Sequence, residues 1–225
     1  MASRTIHLAV AYELMVRLKI KDKQRFILGH ILPDMIVGEY EYRLPAKKKT
    51  HFYTLLENGR KTYNFFRFYD EYKDKLHDML YLGYYVHLIE DNVFRQYLYY
   101  RVGLLKRRGE PELIDELYND YRLLNPILIK RYGITIPAFP DDIKNEDIYK
   151  RFEFTPDEWL DEMKQDFECT DNGTLRHFTK ELIDEYIAEC VDQITEELKA
   201  LQRGEHYLAI NDYSIENYYK GELRT

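Results

Sequence analysis

The chain has 225 residues, 45% of them hydrophobic, and a net charge of −7 at pH 7. No Pro-rich or Ser/Gly-rich linker divides it, so we expect one domain, 1–225, with a sizeable core. The acidic charge disfavours broad binding to nucleic-acid backbones. Two cysteines, Cys169 and Cys190, are too few for a disulfide framework or a thiolate zinc site. No transmembrane segment or secretory signal is recognisable, which predicts a cytoplasmic protein.

Apolar residues recur at helical spacing from the start of the chain. They predict an opening helix of about four turns, with His7 in its first turn. The short apolar stretch 26–32 ends at Pro33, and because a proline disfavours helix in the residue before it, we expect Asp34 to begin a loop. That loop leads to Thr50, which is predicted to cap a short helix that begins near His51.

Longer helices are predicted further along the chain. Residues 76–100 form the candidate metal helix, residues 112–131 end at a glycine, and residues 174–202 carry a long apolar stripe. The segment 155–158, Thr-Pro-Asp-Glu, is typical of a helix start. No alternating apolar and polar pattern rivals these helices, so we predict an all-α fold, a multi-helix bundle with a metal site between helices.

His87 and Asp91 lie four residues apart within the helix predicted over 76–100. Residues at this spacing share a helix face, so an imidazole nitrogen and a carboxylate oxygen can converge on one cation. Both groups are common zinc ligands. The pair therefore indicates a metal site, although two residues alone form a short motif that also occurs by chance.

Further candidate ligands precede this pair in a recognisable order. His7 comes first, then Pro33-Asp34, then Thr50-His51-Phe52, then Gly83-Tyr84-x-x-His87-x-x-x-Asp91. Over about the first hundred residues this order resembles the zinc-dependent phospholipase C family, whose relatives include fungal single-strand nucleases.

The resemblance implies a ligand set and a reaction. Asp34, His51, His87 and Asp91 would hold one zinc ion (Zn²⁺), and His7 would join Asp91 at a second, so that Asp91 bridges the two. Asp34 would also act in catalysis, by accepting a proton from the attacking water. The expected activity is hydrolysis of a phosphodiester or phosphomonoester, with a small phosphoester or a phospholipid as substrate.

Departures from the family pattern reduce the expected number of metals. Secreted members use an N-terminal Trp as a ligand, whereas the only Trp here is Trp159. Members also carry further His and Glu ligands soon after the helix motif, but the first His after Asp91 is His177. His177 and Glu181 have the His-x-x-x-Glu spacing on a predicted helix, although far later than the pattern requires. We therefore predict one or two zinc ions rather than three.

Two other functions are compatible with the sequence. His77-Asp78, with His51 upstream and Asp120 downstream, resembles metal-dependent phosphohydrolases that carry a His-Asp dyad. On one helix His77 and His87 are about 15 Å apart, so only one of them can belong to a mononuclear site. A non-catalytic metal-binding or interaction protein on the same helical fold is the other alternative.

Two features near the candidate ligands remain open. The lysines at 47–49 precede His51 and could attract a phosphate, or they could lie on a solvated loop. His30 lies close to Asp34 in sequence and could orient that carboxylate.

Overall fold

Helices form most of the structure, a computed structural model that describes residues 2–170 and 172–216. The all-α prediction is confirmed. In chain order the helices are α1 (Arg4–Arg17), α2 (Lys23–Ile31), α3 (Tyr40–Thr50), α4 (Phe65–Tyr72), α5 (Met79–Gln96), α6 (Pro111–Tyr132), α7 (Asp147–Arg151), α8 (Pro156–Phe167) and α9 (Lys180–Leu201). Strands β1 (Tyr53–Leu55) and β2 (Lys61–Tyr63) form one antiparallel hairpin. The single-domain assignment stays a prediction.

Helix α5 lies in the centre of the fold. Nearly all of its residues are buried, as expected for a helix that is apolar on most of its surface. Helices α1, α2, α4 and α9 pack around it. The buried apolar side chains form one continuous cluster, and α5 carries polar side chains into its middle. None of the helices in the described part of the chain is long and apolar enough to cross a membrane.

Two glycines bring the backbones of α2 and α5 into contact. A Cβ atom added at Gly29 would lie 1.9 Å from the carbonyl oxygen of Leu80, and one added at Gly83 would lie 2.3 Å from that of Phe26. Only glycine leaves room for this approach. The close contact lets the carbonyl of His30 on α2 reach a side chain of α5.

The segment between α2 and β1 differs from the prediction. Asp34 ends a short 3₁₀ turn, Leu32–Asp34, rather than beginning a loop, because Pro33 is tolerated in the first turn of a helix. The predicted loop after it is mostly helix α3. His51 follows the end of α3 instead of starting a helix, and the Thr50 hydroxyl donates to the carbonyl of Pro33 (2.8 Å) instead of capping.

Later boundaries agree more closely with the sequence. Helix α6 ends at Gly133 in the left-handed conformation (φ 61°), as predicted. Helix α8 begins at Pro156, but the Thr155 hydroxyl accepts the N–H of Val37 (2.8 Å) rather than one in its own helix. Helix α9 begins at Lys180, six residues later than expected from the sequence.

Candidate metal centre

The five predicted ligands come from four separate parts of the chain and meet beside α5. His7 lies on α1, Asp34 on the turn after α2, His51 just after α3, and His87 and Asp91 one turn apart on α5. All five are buried, and Asp34, at 5%, is the most exposed. Buried charged groups need partners, so their convergence requires a chemical explanation.

The rings of His51 and His87 are fixed by backbone carbonyls. The Nδ1 of His87 lies 2.6 Å from the carbonyl oxygen of His30, and the Nδ1 of His51 lies 2.8 Å from that of Lys47. Because a carbonyl only accepts, each Nδ1 carries a proton, and a neutral ring then presents a lone pair at Nε2. The two Nε2 atoms are 3.2 Å apart. Two lone pairs at this distance repel each other unless a proton or a metal ion lies between them.

The distances around these two nitrogens fit a tetrahedral metal ion. Ligand atoms about 2.0–2.1 Å from such an ion are about 3.3 Å from one another. The Nε2 of His51 lies 3.2 Å from Asp91 Oδ2 and 3.5 Å from Asp34 Oδ1, and the Nε2 of His87 lies 3.8 Å from Asp91 Oδ2. Among the described residues, that buried Asp91 oxygen has no hydrogen-bond partner. The donor set therefore fits one ion.

His7 extends the centre on the other side of the two aspartates. Its Nε2 lies 3.5 Å from Asp34 Oδ2 and 3.6 Å from Asp91 Oδ1, and in the described part of the chain this nitrogen has no hydrogen-bond partner. Each carboxylate thus presents one oxygen to His51 and the other to His7. The family resemblance implied a bridge through Asp91 alone, whereas this arrangement allows Asp34 to bridge as well.

Glu90 is the residue that sequence reasoning missed. Its Oε2 lies 2.5 Å from Nε2 of His30 and 2.9 Å from Nδ1 of His7, and its Oε1 accepts from the Tyr186 hydroxyl (3.2 Å). A separation of 2.5 Å is a hydrogen bond, too short for two ligands of one ion, which lie about 3.3 Å apart. We therefore interpret Glu90 as a support for His7 and His30. Its i+3 spacing from His87 was the available signal.

His30 supports the centre differently from the expectation. Its side chain contacts Glu90 rather than Asp34, and its backbone carbonyl fixes the ring of His87. Such supporting contacts commonly set ring orientation in metal sites.

The pKa values of the three central histidines shift in different directions. Burial opposes protonation of His7, but the negative charges of Glu90 and the two aspartates outweigh it and raise the pKa of His7 to about 10. Burial likewise opposes protonation of His51, but Asp34 and Asp91 raise its pKa. Burial and the charge of His7 lower the pKa of His87 to about 3. In the metal-free protein at neutral pH, a proton on His7 therefore offsets part of the negative charge of these carboxylates.

Zinc binding should release protons, because a ligand nitrogen must be unprotonated. At pH 7.5 the metal-free His7 carries a proton, since its pKa is raised from 6.5 to about 10. Its contribution to metal-free stability is complete below pH 6.5 and is lost as the pH rises towards 10. Zinc affinity should accordingly rise with pH. Calorimetry in buffers of different ionisation enthalpy measures the protons released when zinc binds, and His7→Asn should release about one proton fewer than wild type. Equal release would contradict the assignment.

Substitution of Glu90 should weaken metal binding without removing a ligand. Glu90→Gln leaves the side-chain shape but removes the charge beside His7 and His30, and supporting groups of this kind change metal affinity by about 10- to 100-fold. The measurement is a zinc titration against a competing chelator. Glu197 is the matched control, because it is also buried and accepts a tyrosine hydroxyl, from Tyr85 (2.7 Å). Equal effects of Glu197→Gln and Glu90→Gln would refute the supporting role.

The late His-x-x-x-Glu pair does not complete the centre. His177 precedes α9 and lies 2.8 Å from Glu116, whereas Glu181 is exposed in the first turn of that helix. Within the described residues, neither belongs to a group of side chains that could hold a metal. The expectation that the pair shares a helix is wrong.

The His-Asp dyad is not assembled either. His77 is exposed, and Asp78 caps α5 and binds Arg25 through Oδ1 (2.5 Å). Asp120 accepts the backbone N–H groups of residues 176–178. Within the part of the chain that the structure describes, none of His77, Asp78 and Asp120 belongs to a group of side chains that could hold a metal ion.

Comparisons with protein-family models, with curated proteins and with solved structures find no match. The functional argument therefore depends on the geometry of the residues described above.

Proposed function

We propose that the chain is a zinc-dependent phosphoester hydrolase, similar to the zinc-dependent phospholipase C family. The observation that supports this most strongly is the convergence of His51 Nε2, His87 Nε2 and Asp91 Oδ2 on one small volume. Nitrogen and carboxylate oxygen donors are the set that zinc takes where thiolates are absent. One or two ions would be held by His7, Asp34, His51, His87 and Asp91.

A bound zinc ion supplies Lewis acidity and lowers the pKa of water to near neutrality. In this proposal Asp34 would accept a proton from that water, and its position as the most exposed member of the centre supports the role. Burial opposes its ionisation, but the positive charge of Lys47 and the nearby imidazoles of His51 and His7 hold the pKa of Asp34 well below its usual range. The carboxylate form needed for both roles is therefore present at neutral pH.

Lys47 is the cation at the edge of the centre. Its Nζ lies 2.8 Å from Asp34 Oδ1, and its side chain is partly exposed. An ammonium group in this position can attract a negatively charged phosphoryl group and neutralise one of its oxygens. Lys47 therefore serves to orient the substrate in this proposal.

A non-catalytic metal-binding role is the second candidate. Four protein side chains surround one position, and all are buried, which is typical of a closed structural zinc site rather than one with an open coordination position. In that case the ion would stabilise the fold and its binding would leave phosphoesters intact.

The proposal includes a location and a substrate class. We propose a cytoplasmic protein that acts on a small phosphoester or a phospholipid. The free state of Cys169 and Cys190 is compatible with a reducing compartment.

Turnover of a generic phosphodiester tests the proposed reaction. Chelated and zinc-restored protein is assayed with bis(p-nitrophenyl) phosphate, and the zinc bound to each sample is measured. Zinc should restore activity to wild type and to His77→Ala, whereas Asp34→Asn should lose about 10²- to 10⁴-fold. Wild type that binds zinc but does not hydrolyse the diester or p-nitrophenyl phosphate would favour the non-catalytic role.

A further inference from the structure

A basic cavity of about 390 Å³ lies where the end of α3, strand β1, α4 and the end of α7 meet. Four cations and three aromatic rings line it: Lys48, Lys49, Phe52, Tyr53, Arg67, Arg151 and Phe152. No described residue of its lining carries a carboxylate, although the whole chain carries a net charge of −7. This local reversal of charge favours an anionic ligand.

The two guanidinium groups are held in place by aromatic stacking and by one shared carboxylate. The Cζ atoms of Arg67 and Arg151 lie 5.6 and 5.0 Å from the centre of the Phe52 ring. Glu71 accepts from Nε of Arg67 (3.0 Å) and also binds Arg151. Because one carboxylate is divided between two cations, the pair keeps an excess positive charge and unused N–H donors.

The lysine run at 47–49 is divided between two sites. Lys47 binds Asp34 at the metal centre, whereas Lys48 and Lys49 are exposed at the cavity. The Nζ of Lys48 lies 5.5 Å from the centre of the Tyr53 ring. Within the described residues neither of these two lysines forms an ion pair, so both can bind an external anion.

Phe52 holds the cavity next to the metal centre. Its φ of 51° is in the left-handed region, which is uncommon for a bulky residue. Residues in such strained conformations are often found at functional sites. Its N–H donates to the carbonyl of Lys49 (3.1 Å), and its own carbonyl accepts the N–H of Asn64 (3.1 Å). This turn directs the His51 ring into the metal centre and places the Phe52 ring against the two arginines.

We propose that this cavity binds a dianionic phosphate group. A guanidinium offers paired N–H donors that match two phosphate oxygens, and two further ammonium groups offset the second negative charge of the dianion. Binding here is separate from the proposed hydrolysis and does not require zinc, since all the cations belong to the chain. Free inorganic phosphate and the phosphate of a larger ester share this chemistry.

Calorimetry on metal-free protein tests the site, at an ionic strength kept constant with sodium chloride. Inorganic phosphate, phenyl phosphate and acetate are the probes. Wild type should bind both phosphates more tightly than acetate, and Lys48→Gln/Lys49→Gln should weaken phosphate binding by about tenfold. Tighter binding of phenyl phosphate than of inorganic phosphate would identify an ester as the occupant, and equal binding would identify free phosphate.

A matched charge change provides the control. Lys106 and Lys130 are exposed and lie outside the cavity, so Lys106→Gln/Lys130→Gln should leave phosphate affinity within about twofold of wild type. Equal losses in the two double variants, or no preference for phosphate over acetate, would overturn the proposal. Phosphate binding without any zinc-dependent turnover would refute the hydrolase function while supporting this site.

Discussion

Removal of metal should lower the melting temperature by about 10 °C. A ligand present at a thousand times its dissociation constant stabilises the native state by about 4 kcal/mol, and for a chain of this size each kcal/mol corresponds to about 2–4 °C. An effect is expected because the carboxylates of Asp34 and Asp91 are buried, and because Asp91 Oδ2 and His7 Nε2 have no hydrogen-bond partner among the described residues. Thermal unfolding with and without EDTA measures it.

Zinc and a ligand variant provide the controls for this result. Zinc added back after chelation should restore the melting temperature, and the melting temperature of His87→Ala should change less than that of wild type in both treatments because this variant lacks a central ligand. The exposed His77 is the matched position, so His77→Ala should respond like wild type. If neither EDTA nor zinc changes the melting temperature of wild type, the result would contradict a metal centre.

Gly29→Ala should destabilise the fold by about 3 kcal/mol, at the upper end of overpacking effects. The added Cβ would lie 1.9 Å from the oxygen of Leu80, 2.7 Å from its carbonyl carbon and 2.8 Å from its Cα. These atoms are backbone and cannot rotate away. Alanine gains about 1 kcal/mol of helix propensity over glycine, which is smaller than the cost of separating α2 from α5. Denaturant unfolding measures the difference.

The same substitution should also weaken metal binding. Separation of α2 from α5 withdraws the carbonyl of His30 from the ring of His87, now 2.6 Å away. Gly103→Ala is the control, because no atom of the described residues lies within 4 Å of a Cβ added at Gly103, and only its φ of +83° is unfavourable for alanine. That variant should lose about 1 kcal/mol and retain metal affinity. Comparable losses of both properties in the two variants would contradict the role of the α2–α5 contact.

Local patterns were sufficient for much of the fold. The apolar run of α5, the glycine after α6 and the Thr-Pro start of α8 each follow from neighbouring residues. The five candidate ligands were recognisable because their order along the chain resembles that of a known family, and only His87 and Asp91 were also indicated by the spacing of a helix face. The structure brings all five together.

Long-range contacts decided what the sequence could not. Helix α3 contains Pro45, which disfavours a helix interior, yet its end is anchored where Tyr84 donates to the carbonyl of Thr50 (2.5 Å). Glu90 was missed because its partners, His7 and His30, lie on other helices. The basic cavity likewise combines residues from four elements, so no local sequence motif predicts it.

Metal content of purified protein tests the central claim most directly. Wild type, His87→Ala and His77→Ala are loaded with zinc, freed of excess ion and analysed by elemental mass spectrometry. The geometry predicts one or two zinc ions in wild type and in His77→Ala, and a loss of at least one ion in His87→Ala. Zinc retained by His87→Ala but lost from His77→Ala, or absent from wild type, would contradict it.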